Sequence, residues 1–194
     1  MIELFNEILA QFPEGSIIAG GAVRDTLIGA DVRDIDVFVP IRRWHSDIYN
    51  FKRGKIHPSD LYKVTLDEFN LKSEDYPDML HVHKTFVIPY KGWPINVVIA
   101  IGSLTEMVDQ FPVGLSQCYY VNGKIHTSTA CDLDISRNTL TIFTIRKKSP
   151  YIYQTPFRMH DLKYVAKIAR KFPNREILEE GEWEKRNRAM RECI

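Results

Sequence analysis

Two aspartates, Asp34 and Asp36, stand two residues apart in the run Asp34-Ile-Asp-Val-Phe-Val39. The alternation of polar and apolar residues predicts a half-buried strand over 34–39 that stops at Pro40. Residues two apart on a strand share a face, so both carboxylates would point the same way. Like charges placed so repel each other unless a cation lies between them. Hard oxygen donors of this kind suit Mg²⁺ or Mn²⁺. Upstream, Gly20–Gly21 breaks the apolar run Ser16-Ile-Ile-Ala19. A double glycine lets a phosphate approach the backbone with no Cβ in the way. The start of a following helix would offer free N–H groups and a positive dipole end. A triphosphate cradle beside a dicarboxylate metal site is what nucleotidyl transfer requires. Each half also has an ordinary reading, Gly-Gly as a turn and Asp-x-Asp as a solvated strand edge. Their order and spacing within residues 17–39 make the pair far more specific than either alone.

These residues need elements to hold them. Ile2, Phe5, Leu9 and Phe12 recur at helical spacing and predict an amphipathic helix ended by Pro13 and Gly15. Residues 16–20 read as a short buried strand and 22–28 as a short helix closed by Gly29. Within 41–80, helices are expected around 42–53 and 65–72. Two β-rich runs, 84–90 and 95–101, flank Lys-Gly-Trp-Pro and predict an antiparallel hairpin. A short helix is expected at 104–110. Strands at 117–121 and 124–127 flank the tight-turn signal Asn122–Gly123, and a further strand is expected at 140–145. From about 150 the chain changes character. A basic helix runs over 160–172, and the densely charged stretch 176–191 reads as helical. The expected division is therefore a core over 1–150 and a helical C-terminal appendage over 151–194. The fold class is α/β, a mixed sheet with helices on one face, with strand 34–39 beside strand 95–101.

Composition bounds the function without naming it. The chain has 194 residues, is 44% hydrophobic with ten Phe and nine Tyr, and carries a formal net charge of +1. It can fill a core, and a basic surface for nucleic acid would have to be local. Cys118, Cys131 and Cys193 form no C-x-x-C pair, which fits a reduced, cytoplasmic protein. The opening MIELFNEILAQF lacks a basic, then apolar, signal pattern. No apolar stretch approaches the roughly 18 residues of a membrane span.

The stretch G-G-x-x-R-D followed by D-I-D, here Gly20, Gly21, Arg24, Asp25, Asp34 and Asp36, closely resembles the DNA polymerase β-like nucleotidyltransferase superfamily. The nearest branch is similar to the head domain of tRNA CCA-adding enzymes and bacterial poly(A) polymerases. Small proteins with this motif from bacteriophage genomes look similar too. The resemblance implies that Gly20 and Gly21 hold a nucleoside triphosphate and that Asp34 and Asp36 ligate the metals. Arg24 and Asp25 would support the loop and the nucleotide. Arg24 and Arg33 can equally be read as ion-pair partners of Asp25 or Asp31.

This chain departs from the superfamily in two places. A third carboxylate is usual on a neighbouring strand, and the matching strand Ile95-Asn-Val-Val-Ile-Ala100 offers Asn96. Ile95, Val97 and Ile99 should face the core, leaving Asn96 and Val98 on the opposite face. An amide oxygen ligates weakly and takes no proton, so the activity is expected to be slow, to be lost, or to use a different acid such as Asp67, Glu68 or Asp109. The Arg-rich signatures of the CCA-adding branch are also missing at 109–116 and only faintly echoed at Arg158-Met-His-Asp161.

The expected function is transfer of a nucleoside monophosphate to a hydroxyl, preferably an RNA 3′ end, with release of pyrophosphate. A protein or small-molecule acceptor, or a decayed fold that only binds nucleotide or nucleic acid, are the alternatives. Arg158, Lys163, Lys167, Arg170 and Lys171, with Tyr164 and Phe172, form a basic helix that is either a solvated face or an RNA contact. His81 and His83 lack a further metal ligand at useful spacing, and Ser116 and Cys118 lack a nucleophile context.

Overall fold

The computed structural model describes residues 1–41, 82–101, 103–143 and 159–179. The helices expected at 42–53 and 65–72, and the residues Asp67, Glu68, His81, Arg158 and Cys193, lie outside the described residues. So does the expected boundary near 150. The elements are α1 (Ile2–Leu9), β1 (Ile17–Ala19), α2 (Gly21–Leu27), β2 (Ile35–Ile41), β3 (Val82–Tyr90), β4 (Trp93–Ile101) and α3 (Leu104–Val108). After a 3₁₀ turn at Gly114–Ser116 come β5 (Cys118–Val121), β6 (Lys124–Thr127), α4 (Thr129–Arg137), β7 (Thr139–Ile142), α5 (Met159–Lys171) and β8 (Glu176–Glu179). The fold class is α/β, as expected. No helix among the described residues is long and apolar enough to cross a membrane.

The chain divides into two compact units. The first comprises Met1–Val108 and Cys118–His126, the second Asp109–Gln117 and Thr127 onward. The first unit is built on a six-stranded mixed sheet in the order β3-β4-β2-β1-β5-β6. β2 and β4 are parallel, whereas β1–β2, β1–β5 and β3–β4 are antiparallel. Strand 34–39 and strand 95–101 are thus neighbours, as expected, with Ile35 opposite Ile95, Asp36 opposite Asn96 and Val37 opposite Val97.

One face of this sheet carries Tyr120, Ile18, Val37 and Val97, cross-strand neighbours that are all fully buried. Helix α1 covers it. Phe5 packs on Tyr120 at 5.3 Å between ring centroids, and the Tyr120 hydroxyl donates to Asn6 Oδ1 at 2.7 Å. The helical spacing of Phe5 and Ile8 is what buries them both.

Two boundaries differ from expectation in β2. The strand begins at Ile35, so Asp34 sits just before it, and it continues through Pro40 to Ile41. The ladder with β4 runs the whole length of β2, whereas β1 reaches only Val37 and Phe38. Pro40 therefore lies where, among the described residues, one edge of the strand has no ladder partner, a place that tolerates a missing N–H.

The second unit contains a two-stranded parallel sheet of β7 and β8. Residues 176–179, expected to be helical, are a strand. Leu178 is buried there, and β7 supplies the ladder that a charged segment could not find alone. Helix α4 was not expected either. Its apolar pattern is weak, and it is marked by its caps: the Ser128 hydroxyl accepts from the Cys131 N–H, and Asn138 closes it in the left-handed conformation.

Asp134 on α4 is fully buried and saturated. It accepts from the Thr139 hydroxyl at 2.7 Å and from the Thr141 hydroxyl at 2.7 Å, and the Thr141 N–H reaches both its oxygens. Gly114 lies against it, and a Cβ at that position would come within 2.8 Å of Asp134 Oδ2. Asp134→Ala strands three donors and should cost about 3 kcal/mol in urea unfolding. Gly114→Ala should cost about 1–3 kcal/mol by overpacking. Unfolding curves that superimpose on that of the unmodified protein would show that this cluster does not hold the unit together.

Candidate active site

Three side chains meet where β2 and β4 begin. Asn96 Nδ2 donates to Asp36 Oδ1 at 2.9 Å and to Asp34 Oδ2 at 3.3 Å. One amide therefore lies within reach of both carboxylates, so the two acids do share one side of the strand. The arrangement follows from the register, because Asp36 and Asn96 are cross-strand partners and such partners share a face. Asp34 is exposed as expected, while Asp36 is half-buried. Asp36 lies inside the sheet between β1 and β4, and Asp34 stands outside the ladder. Val98, expected on the open face with Asn96, is fully buried. Its neighbour in β2 is Phe38, itself buried, so the face closes over two residues beyond Asn96.

The glycine turn is brought to the same level of the sheet. Ile18 pairs with Val37, so the next step along β1 puts Ala19 beside Asp36 and Gly20 beside Ile35. Gly20 has φ 74° and ψ −124°, a conformation essentially closed to residues with a Cβ. It is tied on both sides: its N–H donates to the Cys118 carbonyl at 3.0 Å, and its carbonyl accepts from the Arg24 N–H at 2.9 Å. Cys118, 98 residues away, also directs its buried thiol at the Gly20 carbonyl. No local pattern in the sequence signals that contact. Gly21 is under no such constraint, since a Cβ there would meet only the end of Arg24 at 3.7 Å.

Arg24 and Asp25 are buried and bound to each other, with Arg24 Nε 2.8 Å from Asp25 Oδ1. Of their two readings from sequence, the ion pair is the one that this geometry displays. It sits inside α2, directly behind the glycine turn. Arg33 is exposed and makes no ion pair among the described residues.

Other candidates are dispersed. Ser116 is buried and is hydrogen-bonded to the Tyr164 hydroxyl at 3.0 Å, and Cys118 is buried. Lys167 and Arg170 are exposed on α5, while Ile168 on the same helix is buried. Lys163 lies on α5, and its side chain, like that of His83, is outside the described residues. Among the described residues, no three or more His, Cys, Asp or Glu converge as a metal cluster. The donor set at the β2–β4 site is two carboxylates and one amide.

No model of a known protein family matches this chain, and no curated protein sequence does. Among solved structures, the chain shows likeness to a Bacillus stearothermophilus CCA-adding enzyme in complex with CTP, at 19% identity and a TM-score of 0.43 over 73% of this chain. A Thermotoga maritima CCA-adding enzyme complexed with tRNA gives 18% identity and 0.44 over 72%. A tRNA nucleotidyltransferase complexed with a primer tRNA and an incoming ATP analog gives 16% and 0.39 over 73%. The matched regions are 32%, 32% and 38% of those chains, so this chain spans about a third of their length. Likenesses of this size carry no argument about activity, acceptor or metal.

The turn geometry has a direct consequence. Gly20→Ala forces a Cβ into a glycine-only conformation and should lower stability by about 1–3 kcal/mol in thermal or urea unfolding. An undiminished midpoint would mean that the turn relaxes freely and that Gly20 is not required by the backbone.

Proposed function

We propose that this chain is a metal-dependent nucleotidyltransferase that moves a nucleoside monophosphate from an NTP to a hydroxyl, preferably an RNA 3′ end, and releases pyrophosphate. The observation that carries the proposal is the junction of Asp34, Asp36 and Asn96, level with the Gly20 turn at the end of β1. The sequence resemblance over residues 17–39 supports the same reading.

The donor set fits a hard divalent cation. Mg²⁺ is commonly held by one or two carboxylates, the remaining positions being water and substrate phosphate. Asp34 and Asp36 would hold Mg²⁺ or Mn²⁺, and Asn96 would present its amide oxygen once the amide turned from its present bonds. When bound, the cation would supply charge neutralisation at the phosphoryl oxygens and orient the acceptor hydroxyl. The Gly20–Gly21 turn would leave room for the triphosphate, and the buried Arg24–Asp25 pair would hold that turn from behind. Asn96 has no proton-accepting group, so removal of the hydroxyl proton falls to one of the aspartates or to another acid. Lys163, Lys167 and Arg170 on α5, with Arg158, would be the chain's contacts to nucleic-acid phosphates.

A second reading is favoured by the amide itself. With Asn96 where a third acid would stand, the chain could bind nucleotide or nucleic acid without turning it over. A protein or small molecule is the remaining alternative as acceptor.

Incubation of the purified chain with labelled NTPs, Mg²⁺ and tRNA, other RNA or protein identifies the acceptor by which pool becomes labelled. Asp34→Ala and Asp36→Ala should each reduce labelling about a thousandfold or more, and at the exposed Asp34 the change in unfolding stability should be no more than about 0.5 kcal/mol. Full labelling by the double variant would refute the metal site. Asn96→Asp should tighten Mn²⁺ binding about tenfold by calorimetry. An unchanged constant would remove Asn96 from the metal's surroundings.

A further inference from the structure

The row of residues that contains Asp36 and Asn96 continues across the sheet in both directions. Val87 pairs with Asn96 on the β3 side and is 61% exposed. On the other side Ala19 follows Asp36, and Ala19 pairs with Tyr119 on β5. Tyr119 then stacks on His126 of β6, with ring centroids 4.9 Å apart and planes within 9°. Cross-strand partners share a face, so the acids, the amide and the ring pair all belong to one face of one sheet. Three strand steps of about 4.8 Å separate Asp36 from His126, roughly 14 Å in all.

The ring pair is not part of the core. Tyr120, which is, lies on the opposite face, packed against Phe5 of α1. His126 is exposed and Tyr119 is half-buried. Lys124 shares the face with His126, being two residues away on the same strand. It is exposed and makes no ion pair among the described residues. The tight turn Asn122–Gly123, both at positive φ, holds the two strands in this register. A cross-strand ring pair stabilises a hairpin by a few tenths of a kcal/mol or more whatever its function. Such a pair does not by itself call for an unpaired cation beside it, nor for a place in the same row as a dicarboxylate.

We propose that Tyr119, His126 and Lys124 form a landing surface for the single-stranded segment that leads to the acceptor hydroxyl. One base of the strand stacks on the Tyr119–His126 pair, and Lys124 meets its phosphate. Exposed aromatic rings interleaved with a cation are how proteins hold single-stranded nucleic acid, the rings by stacking and the cation by charge. The distance to Asp36 places the stacked base a few nucleotides back from the reacting end. This assignment of an occupant rests on the transferase reading above with RNA as acceptor.

The test is binding of a fluorescein-labelled ten-nucleotide oligo(A) RNA to the full chain, read by anisotropy in EDTA without NTP. His126→Ala should weaken binding about tenfold, the loss of one base stack. His126→Phe and Tyr119→Phe should keep it, since they keep the stack. Lys124→Ala should weaken binding and reduce the slope of log affinity against log salt by about one. The same ten-mer annealed to its complement should bind more weakly than the single strand. The surface is overturned if His126→Ala binds as the unmodified chain does, or if His126→Phe loses as much affinity as His126→Ala, which would mean a structural role. It is also overturned if the duplex binds as well as the single strand. Binding here uses neither metal nor the aspartates. RNA binding without nucleotide transfer therefore refutes only the transferase reading, and transfer without RNA binding refutes only this surface.

Discussion

The parallel pairing of β2 with β4, with Asp36 opposite Asn96, is the constraint on which the site depends. A slip of one residue would turn Asn96 to the α1 side and lift Ile95 and Val97 out of the core. What holds the register is burial on the other face. Ile35, Ile95, Val37 and Val97 are all fully buried, and burying such a side chain contributes about 1.5–3 kcal/mol. A hydrogen bond from Asn96 to a charged carboxylate contributes about 1.5–3 kcal/mol, no more than one of those four buried side chains. The packing therefore decides the register, and the polar meeting at Asp34, Asp36 and Asn96 is its consequence.

Within that frame the amide has a definite chemical effect. Two carboxylates side by side repel, and the Asn96 N–H groups bond to both of them without adding charge. The pair of acids is thereby kept from opposing itself. A cation entering on the proposed reading has to replace those bonds, and the amide oxygen it gains in return is a weaker ligand than a carboxylate. On that reading the cost would fall on metal affinity and on proton removal, the two things that a third acid would supply.

Two carboxylate sites among the described residues illustrate opposite uses of the same group. Asp134 is sealed among Thr139, Thr141 and Gly114, with hydrogen bonds to both its oxygens and no room for a ligand. Its work is to join α4 to β7. Asp34 is exposed and Asp36 is half-buried, and the donor they share is a single amide. An accessible carboxylate can be reached by a substrate or cation, and burial removes that access.

Much of this was legible along the chain. The Gly20–Gly21 break, the Asp34–Asp36 spacing, the hairpin around Lys91–Gly92 and the Asn122–Gly123 turn are local patterns, and each is set by backbone preference within a few residues. The face assignment of Asn96 could be read as well, from the apolar neighbours on either side of it. Helix α4 was not legible, because its apolar pattern is weak and its caps are single residues. Strand β8 was not either, because Glu176–Glu179 becomes a strand only when β7 is beside it. The sequence by itself determined which residue types stand at chemically useful spacing and, for Asp36 and Asn96, the strands on which they lie. Only the tertiary structure decided that Asn96 meets aspartates some 60 residues away, that Cys118 anchors the Gly20 turn, and that Tyr119 joins the acids' row. Those partners are distant in sequence and are chosen by which apolar faces can be buried together, a property of the whole sheet and not of any segment.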